Sequence, residues 1–195
     1  MSWTKKHLLD IESLTPAEIT TVLDTARAFK AVGERAIKKV PALRGKTVVN
    51  LFVEPSTRTR VSFEVGIHEL GGRPLFLNAG DIQLGRGEPI KDTARVLGRM
   101  VHGIVIRTYA QKEVEELAEL AGIPVVNALT DEEHPCQVLT DIFTIQEKLG
   151  SIAGKVVTFV GDGACNVPVS WVWAAAKLGF ELRIAAPKNY QPSPE

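Results

Sequence analysis

The apolar positions of this chain change their period repeatedly. After Thr15-Pro16-Ala17-Glu18, the residues Ile19, Val22, Leu23 and Ala26 recur at i, i+3, i+4 and i+7, the single stripe of an amphipathic helix. The residues before that stripe suit a helix start. Thr15 offers a capping hydroxyl, Pro16 a fixed φ at the first helical position, and Glu18 the returning carboxylate of a capping box. Three short, β-rich and mostly apolar runs read instead as buried strands: Lys46–Phe52 after Gly45, Ile104–Ile106, and Lys155–Val160. Helical periodicity returns between them, over Thr57–Leu70, Asp92–Val101, Val114–Ala121 and Gln137–Leu149. Such alternation predicts βαβ crossovers and an α/β fold, a parallel sheet flanked by helices on both faces. Ligands of open parallel sheets sit beyond the carboxyl ends of the strands, so functional residues are expected just after them.

Gly150-Ser151 closes the Gln137–Leu149 helix and precedes a fresh strand, which places a domain boundary there. Residues 1–150 form the first domain. Residues 151–195 supply a strand, a glycine-rich turn, a helix and a further strand over Glu181–Ile184, and are expected to be the beginning of a second, incomplete α/β domain. Strand edges and apolar surface of that second unit are expected to face water. No internal repeat interrupts the chain.

Composition narrows the function classes. Among 195 residues, 23 basic and 23 acidic side chains give a formal net charge of zero, and 45% of the chain is apolar. That balance excludes a disordered tail and argues against a strongly basic nucleic-acid binder, so no nucleic-acid partner is expected. No apolar stretch approaches the ~20 residues that cross a bilayer; the longest, around Val167–Ala176, contains Pro168 and Ser170. No membrane partner is expected either. Asp10 and Glu12 cut short the apolar run that a secretory signal needs, and Cys136 and Cys165 are too few for a disulfide framework. A cytoplasmic protein with two free thiols is the expectation.

Chemistry concentrates directly after the first strand, in Glu54-Pro55-Ser56-Thr57-Arg58-Thr59-Arg60. Hydroxyls, a guanidinium fork and the free N–H groups of a helix N-terminus gathered at one spot would make a phosphate site. The same residues also read as a capped helix start with solvated arginines. A nucleotide P-loop is excluded because no Gly-x4-Gly-Lys-Ser/Thr occurs. A dinucleotide fingerprint fails too, since Asn166 stands where Gly161-Asp-Gly163-Ala-Cys-Asn166 would need its third glycine. His134 and Cys136 lack the partner cluster of a zinc site, so no metal is expected.

Phe52–Phe63, carrying that cluster, resembles the carbamoyl-phosphate motif of the aspartate and ornithine carbamoyltransferases. Two further segments agree in order: Ile106-Arg107-Thr108 at a strand end and His134-Pro135-Cys136-Gln137 at a helix start. The resemblance implies that Ser56, Thr57, Arg58 and Thr59 grip the phosphate of carbamoyl phosphate. It implies that Arg107 reaches both phosphate and carbonyl oxygen as a catalytic residue, and that His134, also catalytic, and Gln137 contact the carbamoyl group. No cofactor is implied. The Asp81–Leu97 segment and Cys136 resemble the ornithine branch, with Arg86 where the aspartate enzymes carry a lysine. Gln83 is thereby implied to reach the active site of a neighbouring subunit, giving a homotrimer or a multiple of it with shared sites. Asn166 is implied to bind the α-amino-acid end of L-ornithine. Trp171 and Trp173 are read as packing residues.

Complete family members carry an Asp-x-x-x-Ser-Met-Gly and a His-Cys-Leu-Pro segment, and neither occurs in these 195 residues. Two classes of function therefore stand side by side. One is carbamoyl transfer to L-ornithine, giving citrulline and phosphate, by a polypeptide of which this is the N-terminal portion. The other is a non-catalytic carbamoyl-phosphate or phosphate-binding module, or a transferase for another amine. The 195 residues by themselves are expected to bind the donor poorly and to turn over slowly or not at all.

Overall fold

The computed structural model describes residues 5–33, 40–78, 80, 82–83 and 87–193. The first helix, α1 (Pro16–Gly33), begins as its sequence predicts. The Thr15 amide donates to Glu18 Oε2 at 2.9 Å and the Glu18 amide returns to Thr15 Oγ1 at 3.2 Å, a reciprocal capping box. Ile19 and Leu23 of its stripe are buried.

Four βα units follow: β1 (Thr47–Phe52) with α2 (Thr57–Glu69), β2 (Arg73–Asn78) with α3 (Ile90–Met100), β3 (Gly103–Arg107) with α4 (Gln111–Ala121), and β4 (Val125–Leu129) with α5 (Pro135–Leu149). All pairings are parallel and the strand order is β2-β1-β3-β4. Side chains alternate across such a sheet. Val49, Leu51, Ile104, Ile106 and Val125 therefore pack on α3 and α4, while Phe52, Val105 and Ala128 face the opposite layer with Phe63 of α2. Helices cover both faces, as the alternating pattern predicts. Strands β2 and β4 were not legible in the sequence: Pro74 interrupts one and Asn127 the other, and both runs are short.

A second parallel pair, β5 (Val156–Val160) and β6 (Glu181–Ala185), is joined by α6 (Asn166–Leu178). One side packs into a cluster shared by α1, α5 and α6, where Trp171 meets Phe180 edge to face with ring centroids 5.7 Å apart. Trp171 and Trp173 are thus packing residues. On the other side Val156 and Val160 are exposed. Among the described residues no helix is long and apolar enough to cross a membrane.

Helices α3 and α4 pack backbone against backbone. A Cβ added to Gly98 would collide with the Ala121 carbonyl, so glycine is what lets the two backbones touch. Gly98→Ala is expected to lower stability by about 2 kcal/mol or more, because overpacking against rigid main chain forces the helices apart. Denaturant unfolding of both forms measures it, and an unchanged midpoint would show that the helices separate freely.

Candidate active site

The strand order has a consequence at its centre. From β1 the chain crosses to β2 on one side, whereas β3 and β4 lie on the other, so the carboxyl ends of β1 and β3 flank a switch point where a crevice opens. Phe52 is in register with Arg107, and the Val53 amide donates to the Arg107 carbonyl at 2.8 Å. The segment leaving β1 is thereby held against the last residue of β3.

That segment turns through Pro55 into α2, with Ser56 as N-cap in extended conformation. Its hydroxyl accepts from the Thr59 amide at 3.4 Å, leaving other first-turn N–H groups free of helical partners. Thr57 and Arg58 are exposed there. Arg60 is turned elsewhere: its guanidinium stacks 3.4 Å from the centre of the Phe76 ring and pairs with Glu64 at 3.2 Å. An open groove of about 750 Å³ beside Ser56 and Thr57 is walled by Phe52, Pro55, Arg60 and Phe76.

Arg107 is mostly buried, with 12% of its side chain exposed, and pairs through Nη2 with Glu54 at 3.0 Å. Its Nε, also buried, has no hydrogen-bond partner. Across the crevice His134 is the N-cap of α5 but makes no side-chain cap, and its Nδ1 is buried without a partner. Burial, assisted by the positive charge of Arg107, pulls the imidazole down to about 4. His134 is therefore neutral at ordinary pH, with one ring nitrogen able to donate and the other to accept. Gln137 is exposed on the first turn of α5, where its amide donates to Asp141 at 2.9 Å. Burial pushes the Cys136 thiol up to about 12, and its Sγ donates to the Asn127 carbonyl at 3.3 Å. It is a packed thiol and not a nucleophile.

Ser56, Thr57, Arg58 and Thr59 thus share one helix start beside Arg107, with His134 close enough to sense that guanidinium. Asn166 opens α6, and its amide donates to the Thr130 carbonyl at 2.6 Å, one loop before His134. Gln83 is exposed on the segment after β2, and its carbonyl accepts from Glu88 at 3.1 Å. Arg86 lies outside the described residues.

Some participants left no mark in the sequence. Glu54 pairs with Arg107 only because β1 and β3 are neighbours. Glu133 is buried although Asp131-Glu132-Glu133 reads as a solvated acidic run. Ser170 has no motif of its own.

Fold and site together define a class: a parallel α/β protein that gathers hydroxyls, helix N–H groups and a guanidinium at a switch point, an arrangement chemically suited to an oxyanion. The sequence model described as "Aspartate/ornithine carbamoyltransferase, carbamoyl-P binding domain" matches residues 6–147. The chain is 59% identical over 188 residues to the ornithine carbamoyltransferase of Akkermansia muciniphila, covering 95% of itself and 61% of that protein. It is 52% identical over 191 residues to that of Carboxydothermus hydrogenoformans, covering 98% of itself and again 61% of the relative. The solved ornithine carbamoyltransferase from Pyrococcus furiosus superposes with a TM-score of 0.93 at 49% identity, over 99% of this chain and 61% of that one. The chain belongs to the aspartate/ornithine carbamoyltransferase family, and it spans about three fifths of the length of these relatives.

The depressed His134 titration has a thermodynamic consequence. The unfolded imidazole takes up a proton near 6.5 and the native one only near 4. Its contribution to stability is whole above the first value and lost as pH falls toward the second. His134→Gln is expected to flatten that acid limb relative to wild type in urea-unfolding midpoints collected across the window. Parallel curves for the two proteins would show that the native imidazole protonates normally.

Proposed function

We propose that the protein transfers the carbamoyl group of carbamoyl phosphate to the δ-amine of L-ornithine, giving citrulline and phosphate. The observation that carries this reading is the meeting of the Ser56–Thr59 helix start with Arg107 at the ends of two adjacent strands. In it, Ser56, Thr57, Arg58 and Thr59 hold the phosphate, and Arg107 spans phosphate and carbonyl oxygen. His134 and Gln137 orient the carbamoyl group, and Asn166 holds the amino-acid end of ornithine.

Attack of the neutral amine on the carbamoyl carbon places negative charge on the carbonyl oxygen and then on the departing phosphate. Donors already aimed at those atoms lower the barrier because they need not reorganise. The partnerless Nε of Arg107 and the neutral ring of His134 supply such donors in a partly dry site. Fixing donor and acceptor together contributes the rest. Residues 1–150 are the donor domain in this reading and residues 151–195 belong to the acceptor side. Gln83, itself exposed, serves the site of a neighbouring copy, so the working assembly is a trimer or a multiple of it. In this reading the protein works in the cytoplasm, in arginine metabolism.

Arg58→Ala is expected to weaken carbamoyl-phosphate binding by about 2 kcal/mol, the scale of a lost charge-assisted contact. Titration calorimetry measures it, and equal affinities would remove the helix start from the site. For the acceptor, ornithine, putrescine and aspartate are to be assayed side by side on the complete polypeptide. Ornithine is expected to win, with a rate that rises with pH because the attacking amine must shed a proton held to about pH 10 in water. A preference for aspartate would overturn the acceptor assignment and leave the phosphate site standing.

A further inference from the structure

Between the two sheets lies a polar cluster that the reaction above does not use. Glu133 immediately precedes His134 and is buried. Its Oε2 accepts a short hydrogen bond from Ser170 Oγ of α6, and Ser170, fully buried, accepts from the His134 main-chain amide at 2.9 Å. The loop carrying both residues is closed by further bonds. The Glu133 amide donates to Thr130 Oγ1 at 3.0 Å and the Thr130 amide donates to the Glu133 carbonyl at 2.9 Å. Asn166, four residues before Ser170 on the same helix, holds the Thr130 carbonyl.

We propose that Glu133 and Ser170 are positioning residues for His134: the carboxylate orients the Ser170 hydroxyl so that its lone pair holds the His134 amide, and α6 thereby sets the place of the imidazole. This rests on the carbamoyl-transfer reading, in which His134 serves the donor and Asn166 the acceptor. One rigid helix then carries the residue that meets the acceptor and the residue that seats the donor's histidine, which couples the two halves of the site.

The direction of the hydroxyl is the working part. Ionised Glu133 only accepts, so Ser170 must donate to it and turn a lone pair to His134. A protonated carboxyl is a weaker acceptor and can itself donate, so the hydroxyl is no longer held to one direction. Burial raises the Glu133 carboxyl to about 7, reinforced by the charges of Asp10 and Glu12 on the N-terminal segment and opposed by the bonds from Ser170 and the Ile11 amide. On its other side α6 presents Ser170, which is neutral. The relay is therefore tight above that value and loosens below it.

Two measurements test this. In the isotopically labelled wild-type protein the backbone amide resonance of His134 is expected to titrate near 7, and in Glu133→Gln to stay flat, since Gln keeps an acceptor and cannot ionise. Carbamoyl-phosphate affinity, by calorimetry, is expected to fall about threefold to tenfold in Ser170→Ala, the range of one lost buried hydrogen bond, and to recover in Ser170→Thr. The affinity ratio of wild type to Glu133→Gln is expected to change with pH on either side of the same value, the ligand's own ionisation being common to both. A wild-type His134 amide insensitive to pH there, or Ser170→Ala binding as wild type does, overturns the relay. A wild-type amide that titrates in a polypeptide of the relatives' full length that binds no carbamoyl phosphate overturns the functional reading, and the relay's part in seating His134 for the donor with it.

Discussion

Everything at this site depends on the pairing of β1 with β3. Parallel strands need a crossover to connect them, and right-handed crossovers send the chain outward on both sides of the central pair. The carboxyl ends of that pair are then the one place where neither connection lies across the sheet. Because Phe52 is in register with Arg107, the first residues beyond each strand meet. A shift of one residue in β1 would turn Leu51 and Val49 away from α3 and α4, so the hydrophobic core and the site are fixed by the same register. Core packing is the larger energy and decides the outcome; the site inherits its geometry from it.

Electrostatics follow from that placement. The guanidinium of Arg107, in a nearly dry position, is compensated by Glu54 3.0 Å away, on the segment that the β1–β3 pairing holds there. Burial, assisted by the same cation, keeps His134 neutral. A cation beside a neutral donor and acceptor suits an oxygen that gains negative charge in a reaction, since neither group must move or change protonation as charge develops. Each lost partner would carry a penalty, since an uncompensated buried charge is far more expensive than an exposed one.

What was legible in the sequence divides along the range of the interactions. The capping box at Thr15 and Glu18, the stripe of α1 and the strand–helix alternation are local, and the structure has them where the pattern puts them. Ser56 through Arg60 could be placed because a strand end and a helix start both show in the local pattern. Strand β2 escaped because Pro74 breaks the run and only pairing with β1 holds it extended. Glu133 escaped for a deeper reason. An acidic triplet is a solvated surface in nearly every context, and its last member is buried here because Ser170, 37 residues away in sequence, and the N-terminal segment at Ile11 lie against it.

The junction between the two sheets is stitched by side chains where backbone ladders would ordinarily do the work. Gln111 on α4 accepts from Asn127 Nδ2 at 3.2 Å and from Thr130 Oγ1 at 2.8 Å, and its amide donates to the Leu9 carbonyl at 3.2 Å. Leu8 runs as a parallel bridge beside Val126 of β4. The N-terminal segment, β4, α4 and α6 thus converge on Thr130. Breaking any of these bonds is costly, because a buried polar group that loses its partner retains the full cost of leaving water, and one acceptor of the node, Asn127 Oδ1, is already without a partner. The apolar cluster shared by α1, α5 and α6 could slide by small steps, but these directional bonds set one register beside it, and displacing α6 would break bonds at Thr130 and at His134 together. The junction therefore transmits position from α6 to the loop that carries His134.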